Sequence, residues 1–176
     1  MKIKSCLTPF LLRACCVSVC LLLGSQSIHA RPVVEMLGDY SNQRTYLVSD
    51  DPHMEGYSLT LYRQGKIVFG RFCRAAGIEV PCAPIQKAII EKRKTLNFQV
   101  KMVTGTVLER PAYQLIEFKG EIRNKYISGV ISTKSSYAQL EPAEIERVKL
   151  RLVPYKGDPI SSYQEWASDP LNKSVD

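Results

Sequence analysis

Apolar and polar residues alternate with a period of two along most of the chain. Leu96, Phe98, Val100 and Met102 interleave with Asn97, Gln99 and Lys101, and Val148, Leu150 and Leu152 interleave with Lys149 and Arg151. Strict alternation marks a β-strand with one buried face. Tyr46 and Val48 show a weaker version among Thr45, Leu47 and Ser49. Two segments read as tight hairpins. Tyr57–Arg63 and Lys66–Phe72 flank Gln64-Gly65, where glycine supplies the positive φ of a two-residue loop. That register sets Leu61 opposite Val68, Leu59 opposite Gly70 and Tyr57 opposite Phe72. Ala112–Arg123 and Tyr126–Thr133 flank Asn124-Lys125, pairing Ile122 with Ile127, Gly120 with Gly129 and Phe118 with Ile131. The paired glycines leave a gap in an apolar face, marking a bend or a close approach of a side chain or ligand.

Two segments depart from this pattern. Ile85, Ala88 and Ile89 have helical spacing, with Lys87 and Glu91 at i,i+4, which predicts a short helix between Pro84 and Lys94; a strand beginning at Ile89-Ile90 is the alternative. Ser162-x-x-Glu165 is a capping-box pattern ahead of Trp166 and predicts a helical tail over about residues 160–170, docking Tyr163 and Trp166 on the sheet. Pro111 and Pro142 punctuate the chain, and Ser135–Glu141 reads as loop. Seven to nine short strands, tight connections and no alternation with long helices predict an all-β fold. The expected form is an antiparallel meander, either an up-and-down barrel or a strongly curved sheet of lipocalin-like architecture. A two-sheet β-sandwich is the alternative.

Composition changes the picture chiefly at the start. Residues 1–30 hold three basic residues (Lys2, Lys4, Arg13), no acidic one, and an apolar run ending at Leu23. Ile28-His29-Ala30 then offers a small residue for cleavage. This is the pattern of a secretory signal peptide, too short in its apolar run to span a bilayer. Residues 31–176 are expected to form a single all-β domain, exported to a periplasm or secreted. Removing the leader lowers the net charge from +7 to +4 and leaves two cysteines of six. In an oxidising compartment, Cys73 and Cys82 are expected to form a disulfide. The remaining composition argues against a dense disulfide scaffold, a cysteine zinc cluster and a nucleic-acid binder. A membrane surface is not an expected partner.

Candidate chemistry is sparse. His53 is the sole histidine after residue 30 and lies in Asp50-Asp51-Pro52-His53-Met54-Glu55, where the residue types predict a solvated turn ahead of the first hairpin. No Gly-x-Ser-x-Gly elbow accompanies it. Glu117 and Glu121 share a strand face about 13 Å apart, too far for a glycosidase pair. No catalytic residue, metal site or cofactor is expected. Lys87, Lys92, Arg93 and Lys94 form a basic run, and Arg147, Lys149 and Arg151 a basic strand face, which read as solvated surfaces. On the first hairpin, Tyr62, Ile67 and Phe69 occupy the face opposite Leu59, Leu61 and Val68. That second apolar face is either covered by the terminal segment or is a binding face. The functional expectation is a non-catalytic binding protein recognising another protein or a cell-envelope macromolecule, in the manner of an inhibitor or immunity-type antagonist. A carrier of a small apolar ligand inside a barrel is the alternative, and a hydrolase using His53 or carboxylates the third reading.

Overall fold

The computed structural model describes residues 32–91, 94–107, 110–136 and 142–173; the leader lies outside them. Nine strands follow in order: β1 (Val34–Ser41), β2 (Arg44–Val48), β3 (Asp51–Gln64), β4 (Ile67–Gly77), β5 (Cys82–Ile90), β6 (Thr95–Val107), β7 (Arg110–Arg123), β8 (Tyr126–Ser135) and β9 (Glu144–Val153). Neighbours pair antiparallel from β3 through β9. β1 pairs with both β9 and β3, which closes an eight-strand barrel and leaves β2 as an extra strand beside β3. The barrel is the expected architecture; the sandwich alternative is excluded by closure.

The alternation dictates the core. Leu59, Leu61, Phe72, Leu96, Met102, Ile116, Ile127, Ile131 and Leu150 all point inward and are buried. Four rings run across the interior: Tyr57 lies 5.6 Å from Phe72, Phe72 5.7 Å from Phe98, and Phe98 5.1 Å from Phe118. Phe118 ends the row over the paired glycines. A Cβ on Gly120 or Gly129 would lie 2.6 or 2.7 Å from its Cζ. The gap in the glycine face is thus filled by an aromatic ring from the same strand.

The second hairpin has the register the sequence predicts, with Gly120 opposite Gly129 and Ile122 opposite Ile127. The first is shifted by two residues: Leu61 faces Gly70, Leu59 faces Phe72, and Gln64 faces Ile67. The loop is Gly65-Lys66 rather than Gln64-Gly65. Gly65 has φ of +61° at the first central position, as a type II′ turn demands. A shift of two preserves both faces, because side chains alternate with that period.

The helix expected between Pro84 and Lys94 is absent. Cys82–Ile90 is strand β5. Its pairing with β4 jumps from Gly70–Ile85 to Val68–Ala88, so a bulge inserts one extra residue in β5. The bulge turns Ala83, Ile85 and Ala88 to the core. The three-residue interval between Ile85 and Ala88, read as a helical period, is a strand period interrupted once. Cys73 and Cys82 are directly opposed across β4 and β5 and are joined by a disulfide.

After β9 the chain crosses back over the outer wall of β1, β3 and β4. Helix α1 (Tyr163–Ser168) begins at Ser162, whose Oγ accepts from the backbone N–H of Glu165 at 3.1 Å. The Glu165 carboxylate bonds the Ser161 hydroxyl, so only half of the predicted capping box forms. A 3-10 turn (Pro170–Asn172) follows, capped by Asp169.

Candidate recognition surface

The outer face of the β3–β4 hairpin is covered. Phe69 lies 5.1 Å from both the Tyr163 and Trp166 rings, and Tyr62 meets Tyr155 edge-on and donates its hydroxyl hydrogen to the Tyr155 oxygen at 2.7 Å. Burial, then this bond, raises the Tyr62 pKa, so the phenol stays protonated. Tyr62, Phe69 and Trp166 form a second apolar cluster outside the barrel. Of Tyr62, Ile67 and Phe69, only Ile67 remains open, at 41% exposure. The face cannot be an open binding patch: the tail that folds onto it supplies the apolar partner that an outward-facing Phe69 requires.

A different apolar surface is exposed. β3 has fourteen residues, and β1 pairs only with Ser58–Gln64. Its first five residues, Asp51–Glu55, pair with β2. β1 and β2 are one broken strand along β3, interrupted at Asn42-Gln43. Asn42 holds the break by accepting from the Tyr57 N–H at 2.7 Å through its side chain and donating to the Tyr57 carbonyl at 3.0 Å through its backbone. Beyond the break, β2 and the first residues of β3 form a two-stranded ribbon. Ser49 and Asp50 turn it, with φ of 51° and 70°, both positive as a type I′ hairpin demands.

The sequence reading placed Asp50–Glu55 in a turn. The turn is confined to Ser49-Asp50, and Asp51-Pro52-His53-Met54-Glu55 is strand. Pro52 is tolerated there because β4 pairs with β3 only from Met54 onward, so the donor it lacks faces no strand. Every residue of β2 is exposed, Leu47 at 70%. Tyr46 and Val48 share one ribbon face with His53, whose ring is 5.9 Å from that of Tyr46. Leu47 projects from the other. The edge of β2 away from β3 pairs with no strand among the described residues.

At the root of the ribbon the barrel wall parts. β9 leaves β1 after Ser41–Arg151, and a hollow of about 430 Å³ opens, lined by Arg44, Glu55, Arg74, Glu146 and Lys149. Tyr57 donates its hydroxyl hydrogen to Glu146 Oε2 at 2.6 Å, and Arg74 donates to Gln114 Oε1 at 3.1 Å, closing the barrel mouth with side chains. Burial, then the bond to Glu146, raises the Tyr57 pKa, so this donor persists at alkaline pH.

The other candidate groups are dispersed. Glu117 accepts from Gln99 and Glu121 pairs with Arg123 at 2.8 Å, both on the outer wall. His53 lies on the ribbon, and no group of three potential metal ligands is gathered among the described residues. Lys149 sits 4.3 Å above the Tyr126 ring on the outer face of β9. Lys92 and Arg93 lie outside the described residues. Sequence reasoning missed Leu47 as a surface feature. The available signal was the impure alternation of Thr45–Ser49, apolar on both faces in a segment with too few neighbours to cover both. No helix among the described residues is long and apolar enough to cross a membrane. The chain matches no protein-family model, and neither a curated protein nor a solved structure is found similar to it.

Proposed function

We propose that this chain is an exported, non-catalytic binding protein that recognises another protein through the β2–β3 ribbon and the charged hollow at its root, an inhibitor or immunity-type antagonist of a periplasmic enzyme being the form that fits. The observation that carries this reading is the exposed run Tyr46-Leu47-Val48 on a free edge of a barrel whose interior is packed. Packing weighs against the small-ligand carrier, since the space beside the glycine pair is occupied by Phe118. An unpaired edge offers backbone hydrogen bonds to an added strand, and alternate side chains supply specificity. Tyr46 and Leu47 are the anchors such an interface needs, and Arg44, Arg74 and Lys149 supply charge at its rim. The Cys73–Cys82 bond supports export, since such bonds persist in oxidising compartments.

The test is a native mass spectrum of the protein purified gently from its own host, wild type against Leu47→Asp. Leu47 buries little, so the variant is expected to keep its melting temperature. A second protein at fixed stoichiometry is expected with the wild type and weakened about 30-fold or more in the variant, the loss of one hot-spot residue. Retention of the same partner by Leu47→Asp overturns the assignment to the ribbon. A small-molecule adduct released by organic solvent would instead support the carrier.

A further inference from the structure

The C-terminal segment packs aromatic side chains on the barrel wall twice, Tyr155 on Tyr62 and then α1 on Phe69. Between these contacts it arches through Gly157-Asp158-Pro159-Ile160 and bounds a half-open hollow of about 520 Å³ against the outer wall. This hollow is separate from the ribbon, and its size suits a small ligand.

Its floor carries Arg71, which follows Thr60 across the β3–β4 ladder. The guanidinium donates to Asn172 Oδ1 at 2.7 Å. Asn172 is itself buried, at 2% exposure, and donates its Nδ2 hydrogen to the Trp166 carbonyl at 2.9 Å. Arg71 is therefore aimed by a buried side chain, and it has further donors to give. Among the described residues no carboxylate lies within ion-pair distance of it, although Asp158, Glu165 and Asp169 line the same hollow. Two of the three are held elsewhere: Asp169 caps the Leu171 N–H at 2.9 Å, and Glu165 bonds the Ser161 hydroxyl. The hollow is thus lined by one cation and three carboxylates with no ion pair between them among the described residues. Its aromatic walls are Tyr62, Tyr155 and Trp166. Tyr62 gives its hydroxyl hydrogen to Tyr155, which gives its own to the Asp158 carbonyl at 3.0 Å, so both oxygens remain as acceptors.

We propose that the hollow beneath the C-terminal strap binds a small zwitterion, an amino acid or short peptide, with its carboxylate on Arg71 and its ammonium group facing the rim carboxylates and tyrosine oxygens. Separated opposite charges select a ligand that carries both. An anion alone would meet the rim, and a cation alone would meet Arg71. Aromatic walls favour an apolar side chain on that ligand.

Trp166 is the sole tryptophan of the chain and lines the hollow, so its fluorescence reports occupancy directly. The experiment titrates the disulfide-bonded protein with L-phenylalanine and L-alanyl-L-phenylalanine to about 10 mM, a range that covers weak binding. N-acetyl-phenylalanine and phenylalanine amide, each lacking one charge, are run beside them. A saturable change is expected with at least one zwitterion, weakened about tenfold or more when either charge is removed. Arg71→Gln is expected to weaken binding by a similar factor, and Arg71→Lys, which keeps the charge, by less. The analogue comparison uses unaltered protein, so a folding defect in the variants does not blunt the test. No saturable response to either zwitterion, or equal responses to the parent and both analogues, overturns the proposal.

Discussion

Replacing Phe118 with alanine tests whether the barrel is packed or hollow. Phe118 is 2% exposed, stacks on Phe98 at 5.1 Å, and presses its ring edge onto the backbone of Gly120 and Gly129. Burying a phenylalanine and then truncating it costs about 3–5 kcal/mol, transfer and cavity terms together. The value here should lie in the upper part of that range. The two glycines have no side chains to collapse into the void, and the stacked ring pair is lost as well. With a urea dependence of about 2 kcal/mol per molar, a loss of about 4 kcal/mol lowers the unfolding midpoint by about 2 M. Phe118→Leu, which leaves a smaller void, should cost about 1–2 kcal/mol and give a measurable transition if alanine abolishes folding. The void is apolar, so it should stay dry and accept benzene. Benzene should raise the melting temperature of the variant and leave the wild type unchanged. A loss under about 2 kcal/mol for Phe118→Ala, or equal benzene stabilisation of the wild type, would show that the interior already holds space and would revive the carrier reading.

Trp166→Ala removes the largest side chain covering Phe69 and should cost about 3 kcal/mol, with new binding of a hydrophobic dye; an unchanged urea midpoint would show that the strap does not stabilise the barrel. Burial raises the Asp39 pKa above 3.8, more than its bond from Thr60 lowers it. As pH rises past 3.8 the unfolded chain releases this proton before the folded one, so Asp39 contributes a stability that is lost on the way to neutrality. Asp39→Asn keeps an acceptor for Thr60 and lacks that loss, so its stability relative to wild type should grow between about pH 3 and 6; a constant difference would refute the sign. Only Ile89 and Ile90 of β5 pair with β6, whereas β6 and β7 pair along their length. Amides of β5 should therefore exchange faster than those of β7, and replacing both Cys73 and Cys82 with alanine should cost about 2.5–3 kcal/mol and widen that difference. Uniform protection of β5 and β7 in both proteins would count against this.

What the sequence made legible follows from how local each constraint is. The β7–β8 register rests on a two-residue loop and on an apolar alternation that any slip of one residue would turn inside out, and both are visible in the residues. The β3–β4 register was visible only to within two residues. Alternation fixes the face, while the choice between Gln64-Gly65 and Gly65-Lys66 depends on which central position takes the positive φ. β5 was misread because a bulge leaves no mark except a break in period, and one break in nine residues reads as well as a helix. The two apolar faces of the first hairpin were legible, as was a docking tail. That Trp166 lands on Phe69 was not, because it depends on a return path of about a hundred residues set by barrel closure. Arg71 carried no signal at all. Its isolation from carboxylates is a property of where Asp169 and Glu165 find local caps.

The ribbon gains its meaning from the closed barrel behind it. Closure spares most strands an exposed edge, which natural sheets otherwise blunt with lysine, proline, bulges or covering segments. Among the described residues β2 has none of these. Arg44-Thr45-Tyr46-Leu47-Val48 pairs with β3 without a register break, it contains neither lysine nor proline, and its far edge meets no strand among the described residues. Three of its five residues, Thr45, Tyr46 and Val48, are types that favour extended structure. The charges nearest the tip, Asp50 and Asp51, flank the apolar run without interrupting it, as gatekeepers do around a hydrophobic strand that is retained. Nothing in the stability of the barrel needs Leu47, which is 70% exposed on a segment beyond the last β1–β3 pair. An exposed apolar strand that adds little to folding and carries a standing risk of self-association is physically reasonable only if another surface covers it. That requirement, beside the packed interior, is the ground on which recognition by the ribbon is proposed.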